Sequence, residues 1–318
     1  MVIKAGILFP GQGAQSPGMG AELAESSRAA RKIFQQADDI LGFSLAALCF
    51  EGPADELIRT DRAQPAIFTC SIATLAALEE CTGAPFEGTM AAGLSLGEYS
   101  ALTAANVLTF EEGLRLVALR GSAMQAASED CPSGMTSVLG LGIERTKSLC
   151  SDIAERTGKT IQIANLNSPG QIVVSGENEA LDAFEAEAPT AGAKRAIRLD
   201  VAGAFHSEVM RPAANSLLEA LNQVEFKEPQ FPIWQNATAQ PGHNPQLIKD
   251  NLATQLTSTV LWEDSFRAMA SESDDAVFIE PAPGRVLTGL ARRIAPQAEV
   301  ISLQTPQDLQ TFATSNVD

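Results

Sequence analysis

A serine between two glycines, Gly93-Leu94-Ser95-Leu96-Gly97, fits the G-x-S-x-G turn that presents a hydroxyl where a strand gives way to a helix. Its neighbours suit that turn. Met90-Ala91-Ala92-Gly93 is a small-residue run fit for a buried strand end, and Leu96 to Ala105 is rich in helix formers. Glycine on both flanks permits the close strand–helix approach at which a Cβ would clash. A serine so placed stands at a helix N-terminus, where free backbone N–H groups can stabilise an oxyanion. The chemistry implied is nucleophilic attack by the Ser95 hydroxyl. The pentapeptide also fits an ordinary glycine-flanked turn, so its context decides.

A serine hydroxyl is a weak nucleophile at neutral pH and needs a base. The chain has two histidines. His206 follows the small-residue run Ala202-Gly203-Ala204-Phe205 in a loop before a helix, whereas His243 sits in the polar turn Pro241-Gly-His-Asn-Pro245. His206 is the base expected from that contrast. No Asp or Glu stands out to orient its imidazole, so a backbone carbonyl or an amide is expected there. Arg120 is the third group of interest. Thr109-Phe-Glu-Glu112 reads as a capping box opening a helix over Phe110–Ala126. Leu116, Val117, Arg120, Gly121 and Met124 share one stripe of that helix, and an unpaired guanidinium among apolar neighbours is costly. Its partner is either an internal carboxylate such as Glu98 or a carboxylate brought by the substrate. Spacing alone leaves both open.

Alternating strands and helices must position these groups. Val2–Phe9 reads as a buried strand, broken by Pro10-Gly11-Gln12-Gly13. The glycines miss a dinucleotide fingerprint because Ser16 holds its last place, but such a loop can bring N–H groups to the carboxyl edge of a sheet. Helical spacing runs over Glu22–Ile40 and over Asp61–Cys81, where Ile67, Ser71, Thr74, Leu75 and Leu78 share a face. The texture changes at the polar, proline-broken stretch 128–134. Beyond it come strand Met135–Leu141, helix Glu144–Arg156, strands Thr160–Leu166 and Gln171–Ser175, helix Asn178–Ala188 and strand Lys194–Leu199. That β-α-β-β-α-β order is ferredoxin-like. The fold class expected is α/β, with residues 128–199 a small subdomain inserted into a larger one made of 1–127 plus 200–318. The larger part continues with helix Glu208–Leu221, strand Phe231–Asn236, and a helical Pro245–Leu261 broken near 257–259. It ends with strand Ala276–Glu280, helix Arg285–Ile294, strand Val300–Leu303 and a polar tail from Pro306.

At 318 residues, 45% hydrophobic and 19% charged, the composition is that of a globular chain with one large domain, or a large and a small one. A formal net charge of −17 argues against a nucleic-acid surface. The five cysteines, Cys49, Cys70, Cys81, Cys131 and Cys150, form no C-x-x-C, and they are expected as reduced core residues of a cytoplasmic protein. With two histidines, no Cys/His metal site is expected. The apolar opening Ala5–Phe9 is too short for a secretory core, and no apolar run reaches membrane-spanning length. A soluble protein with no membrane partner is expected.

Seven segments occur in a telling order: Pro10-Gly-Gln-Gly-Ala-Gln15, Gly93-Leu-Ser-Leu-Gly-Glu-Tyr99, Arg120-Gly-Ser-Ala-Met-Gln125, Asn167-Ser-Pro-Gly-Gln171, Gly203-Ala-Phe-His206, Gln255-Leu256 and Pro283-Gly-Arg-Val-Leu-Thr-Gly289. Together the chain resembles the malonyl-CoA:acyl carrier protein transacylases of type II fatty acid synthesis, from about residue 5 to about residue 303. The resemblance implies an α/β-hydrolase-like core with a mostly parallel sheet and a ferredoxin-like insertion. It implies a malonyl ester on Ser95, His206 as base, and an oxyanion hole from the N–H groups of Gln12 and Leu96. Arg120 would hold the malonyl carboxylate, and Gln255 would hold the histidine through its backbone carbonyl. Met124, Asn167 and Phe205 match pocket positions. Phe205 goes with malonyl over methylmalonyl, a discrimination of only ~1–3 kcal/mol for one methyl. Two departures stand out: Leu94 where His is usual, and Thr259 where Pro is common.

The implied substrates are malonyl-CoA and the phosphopantetheine thiol of acyl carrier protein, with no bound cofactor and a monomeric chain expected. An acidic carrier and a chain at −17 repel at long range, so local basic residues must prevail within a Debye length of ~8 Å. Arg285, Arg292 and Arg293 are the expected docking patch, with Lys194, Arg195 and Arg198 as alternates. The readings that compete are a serine thioesterase or esterase, which would release the acyl group to water, and a catalytically impaired carrier-binding homologue, which Leu94 suggests.

Overall fold

The computed structural model describes residues 3–272 and 277–316. Val2 and Ala276, read from sequence as strand ends, lie outside the described residues. The described strands are β1 (Ile3–Phe9), β2 (Phe86–Gly93), β3 (Ser133–Leu139), β4 (Ile161–Ser168), β5 (Gln171–Glu177), β6 (Arg195–Arg198), β7 (Ile233–Trp234), β8 (Pro241–Gly242), β9 (Val277–Pro281) and β10 (Glu299–Leu303). They form two sheets, a six-stranded one ordered β10-β9-β1-β2-β7-β8 and a four-stranded one ordered β4-β5-β3-β6.

In the larger sheet β1 pairs in parallel with β2 and β9, β9 with β10, and β2 with β7; only β8 runs antiparallel. A central parallel strand is covered on both faces, which is why Ile7, Leu8 and Phe9 are all fully buried. Alternation along β1 feeds two cores. Ile7 and Phe9 join a cluster with Ile67, Phe68 and Val117, while Leu8 joins Trp262, Phe266 and Leu287 on the opposite face. The smaller sheet is antiparallel throughout, and counted within its own unit its order is 4-1-3-2, the ferredoxin-like arrangement. It carries a separate core of Val138, Ile153, Val174, Leu181 and Phe184. A seam of backbone hydrogen bonds helps join the two parts: Val260 N–H donates to Ala164 O (2.8 Å) and Leu166 N–H to Val260 O (2.9 Å), which brings one edge of β4 onto the larger body.

The Thr60–Thr82 helix buries Ile67, Ser71, Thr74 and Leu78, as its spacing requires, and Leu75 is half-buried. The next long helix runs Phe110–Asp130, opened by the reciprocal capping box of Thr109 and Glu112. Several sequence expectations need correction. The stretch read as one helix over Glu22–Ile40 is two, Ala21–Ser26 and Arg28–Leu41, because Ser27 turns extended and caps the second by accepting from Ala30 N–H (3.0 Å). Leu45–Glu51 and Ala54–Leu57 are short helices with no sequence counterpart. The tail read as merely polar is a helix, Pro306–Asn316, that sinks Leu309 and Phe312 into the core. Of the cysteines, Cys49, Cys70 and Cys150 are buried, but Cys81 is exposed and Cys131 half-buried.

Candidate active site

β1 and β2 are parallel neighbours with Phe9 opposite Gly93, so the loops leaving their carboxyl ends begin side by side. The glycine loop Pro10–Gly13 follows one strand and the serine turn the other, and Leu94 N–H donates to Phe9 O (3.0 Å). A Cβ on Gly93 would stand 1.8 Å from the Gly97 carbonyl carbon, and one on Gly97 would stand 2.2 Å from Phe9 O. The two glycines of the motif are therefore steric necessities. Ser95 sits at φ +52° and His206 at φ +59°, a left-handed backbone that costs a non-glycine residue free energy. Asn236, just beyond β7, braces the serine turn: Ser95 N–H donates to its Oδ1 (2.6 Å), and its Nδ2 donates to Gly93 O (2.7 Å).

Two groups far apart in the chain converge on the Ser95 hydroxyl. His206 Nε2 lies 2.7 Å from Ser95 Oγ, and Arg120 Nη2 donates to the same oxygen at 2.9 Å. His206 Nδ1 lies 2.9 Å from the backbone carbonyl of Gln255. A carbonyl only accepts, so Nδ1 carries the proton and Nε2 keeps a lone pair for the serine proton. The orienting third group is thus a backbone carbonyl. The Gln255 side chain is a second hinge of the site, accepting from Arg120 Nη2 through Oε1 (3.0 Å) and donating through Nε2 to Ser95 O (2.9 Å) and Glu98 Oε2 (2.7 Å).

Arg120 is 1% exposed, and its Nη1 donates to Gln64 Oε1 (2.7 Å). No carboxylate reaches it among the described residues, and its Nε has no hydrogen-bond partner. Glu98 therefore meets the guanidinium only through the Gln255 amide. Burial pushes the Arg120 pKa down. Burial first, then the positive Arg120, push His206 down to about 4, against the opposing pull of the Gln255 carbonyl. The imidazole is thereby neutral and able to accept a proton at pH 7.

These groups open onto a cavity of about 310 Å³. Gln12, Leu94, Leu96, Met124, Asn167 and Phe205 line it together with Ser95, Arg120 and His206. Gln255 is not among the lining residues and stands behind them. The backbone N–H groups of Gln12 and Leu96 have no acceptor among the described residues, which leaves both free to meet an oxyanion. Leu94 is half-buried and packs against the cluster that holds Leu8 and Trp234. Asn167 Oδ1 is buried without a partner, and Phe205 O accepts from the Ser175 hydroxyl. Thr259 Oγ1 donates to Ile163 O (2.8 Å), a contact a proline could not make.

Two residues that hold the site escaped the sequence reading. Gln64 has the faint signal of a polar residue on the buried face of the Thr60–Thr82 helix, three residues before Ile67. Asn236 had none beyond ending a strand. His243 is exposed in its turn. Arg285, Arg292 and Arg293 are exposed around the Val286–Ile294 helix and do not line the cavity. No carboxylate pairs with these three among the described residues; Arg293 donates to Gln171 Oε1 (3.1 Å). Of the alternates, Arg198 is engaged by Asp182 and Glu185, each at 2.7 Å, whereas Lys194 and Arg195 are exposed. No helix among the described residues is long and apolar enough to cross a membrane.

Comparison with known proteins places nearly the whole chain among relatives of one kind. The acyl transferase domain family matches residues 7–305. A malonyl CoA-acyl carrier protein transacylase of Bacillus subtilis (strain 168) is 40% identical over 307 residues, covering 96% of this chain and 95% of its own. A solved malonyl CoA-acyl carrier protein transacylase from Coxiella burnetii superposes with a TM-score of 0.93 at 35% identity, over 99% of each chain. A malonyl-transacylase solved in complex with a type II PKS acyl-carrier protein superposes with a TM-score of 0.92 at 37% identity, over 98% of this chain and 100% of that one. With an imidazole and a buried guanidinium on one serine hydroxyl and relatives of this coverage, the chain belongs to the malonyl-CoA:acyl carrier protein transacylase family.

Proposed function

We propose that this chain moves a malonyl group from coenzyme A to the phosphopantetheine thiol of an acyl carrier protein, through a malonyl ester on Ser95. The observation that carries the reading is the double contact on one oxygen: Ser95 Oγ meets His206 at 2.7 Å and Arg120 at 2.9 Å. The imidazole suits attack on a thioester. A buried guanidinium beside the nucleophile suits an acyl group that ends in a carboxylate, because its planar fork matches two oxygens.

In the first half-reaction His206 Nε2 takes the Ser95 proton as Oγ adds to the thioester carbonyl carbon. The negative oxygen turns toward the N–H groups of Gln12 and Leu96. The C–S bond then breaks, and the proton on Nε2 passes to the departing thiolate. The second half-reaction reverses the roles. The carrier thiol gives its proton to Nε2, its sulfur adds to the ester carbon, and Ser95 Oγ leaves and recovers the proton. Both halves balance with the chain's own side chains, so the reaction asks for no bound cofactor. Phe205 lines the same cavity, and its bulk would disfavour an added methyl, a preference of ~1–3 kcal/mol. The exposed Arg285, Arg292 and Arg293 are the docking face proposed for the acidic carrier.

Intact-mass spectrometry after mixing with malonyl-CoA tests this. The enzyme should gain one malonyl group, Ser95→Ala should gain none, and carrier thiol should discharge the adduct. An adduct lost to water as fast without carrier as with it would make the chain a hydrolase, and absence of any adduct would make it a non-catalytic homologue.

A further inference from the structure

Glu98 is a buried carboxylate that no step above uses. It lies three residues after the nucleophile, on the helix Gly97–Ala104, and is 1% exposed. Its Oε2 accepts from Gln255 Nε2 (2.7 Å) and from Asn236 N–H (3.2 Å). Gln255 turns its other end, Oε1, to Arg120 Nη2 (3.0 Å). One amide thus separates a buried acid from a buried guanidinium, and in the free enzyme their charges offset each other across it.

A substrate carboxylate on Arg120 upsets that offset. Two carboxylates, one of them buried, then share one guanidinium, and like charges at short range are costly there. A proton relieves the excess, and few groups can take it. Arginine is already protonated. The Tyr99 phenol, next along the helix, is already neutral, its pKa raised by burial. Burial and Arg120 hold the His206 imidazole neutral, with a pKa of about 4. The other charged side chains on β1, on β2 and on the helices Thr60–Thr82, Phe110–Asp130 and Pro245–Thr254, which surround this region, and Asp200 on the cavity wall, are partly or wholly exposed, where water already solvates them. Gln235, Asn236 and Gln255 face Glu98 with amides only.

We propose that an acyl group bearing a carboxylate, and not a neutral one, draws a proton onto Glu98 as it binds. The proposal rests on the reading of Arg120 as the partner of the malonyl carboxylate. Burial, against the hydrogen bonds and Arg120, already lifts Glu98 to about 7, so a second carboxylate nearby acts on a group close to its midpoint. The sign follows from linkage. The bound state holds more protons than the free one, so malonyl binding weakens as pH rises above 7, by at most about tenfold per pH unit for one proton. Acetyl binding lacks that dependence.

Calorimetry on the Ser95→Ala chain, which cannot form the ester, tests this with malonyl-CoA and acetyl-CoA at pH 8. Buffers of low and high ionisation enthalpy report the protons taken up. Malonyl-CoA should take up about half to one proton more than acetyl-CoA. Adding Glu98→Gln, which keeps the side chain's size and an acceptor, should abolish the difference while malonyl-CoA still binds. Equal uptake with the two ligands, or a difference that survives Glu98→Gln, overturns the proposal. Failure of the underlying reading looks different: malonyl-CoA then binds no better than acetyl-CoA, and Arg120→Ala alters neither. The unsubstituted enzyme gives an independent answer. The ratio of malonyl to acetyl KM should climb between pH 7 and 9, and a flat ratio overturns the proposal whatever becomes of the variants.

Discussion

Arg120 and the arginines around the Val286–Ile294 helix carry the same charge in opposite surroundings. Arg120 is 1% exposed and fixed by Gln64, Gln255 and the Ser95 hydroxyl. Arg285, Arg292 and Arg293 stand in solvent without a carboxylate partner among the described residues. Charges removed from water act at a fixed point and strongly, whereas exposed ones are screened within ~8 Å and contribute ~0–1 kcal/mol each. The contrast separates two tasks. Under the proposed function, selection among acyl groups would fall to a charge the fold has buried, and attraction of a large acidic partner to charges it has left outside. Relative to a chain at −17, that exterior cluster can matter only at close range.

The buried side of the comparison breaks most completely at the hydroxyl itself. Ser95→Ala should lower kcat by about 10⁴-fold or more, with the thermal midpoint little changed, as a stopped transacylation assay and calorimetry would show. Next comes the guanidinium. Arg120→Ala should cost malonyl-CoA about 10²- to 10³-fold in kcat/KM, equivalent to ~3–4 kcal/mol, and cost acetyl-CoA far less. An unchanged ratio between the two substrates would mean that burial of Arg120 serves structure alone.

The same substitution should move the pH profile. His206 must be neutral to act, and with its pKa near 4 the acid limb should lie well below the ordinary histidine range, activity falling as pH drops through it. Arg120 is one cause of that depression. Its removal should raise the limb toward 6.5, read as kcat/KM with acetyl-CoA between pH 4.5 and 8. A limb that stays put would leave burial as the whole cause.

Sequence revealed the groups whose role is written in local spacing. Gly93 and Gly97 announce the turn because only glycine fits there. Arg120 is conspicuous as a charge on an apolar stripe, and His206 as one of two histidines. The alternating strands and the ferredoxin-like insertion were legible because their periodicity repeats over many residues. Gln64, Asn236 and the bridging role of Gln255 were not, since each amide gains meaning only from what folding places against it, 56 residues away for Gln64 and Arg120 and 141 for Asn236 and Ser95. The Pro306–Asn316 helix was missed for a related reason: Leu309 and Phe312 supply too little apolar pattern to betray it.

Asn236 offers a smaller effect on the buried side. Asn236→Ala removes the acceptor of Ser95 N–H and the donor to Gly93 O at once. Leaving buried backbone groups unpaired costs ~1–3 kcal/mol, so the thermal midpoint should fall by a few degrees. Loss of bracing on a strained turn should lower kcat by about tenfold while the malonyl-to-acetyl ratio holds. A change in that ratio would instead place Asn236 in acyl selection.

The exposed side breaks last and least. Arg292→Glu with Arg293→Glu reverses two charges in the last turn of a helix that the fold already holds by buried Leu287, Leu290 and Ile294, so stability should fall by only ~1–2 kcal/mol, from the lost Arg293–Gln171 contact and the opposed helix dipole. Malonyl loading from coenzyme A onto Ser95 should proceed at the native rate if these arginines serve the carrier alone. The KM for the carrier should rise about three- to tenfold at low ionic strength, and the gap should narrow as salt is added, because exposed charges act through a screened field. A carrier KM indifferent to both substitutions would move the docking face elsewhere, with Lys194 and Arg195 next to test, since Arg198 is already neutralised by Asp182 and Glu185.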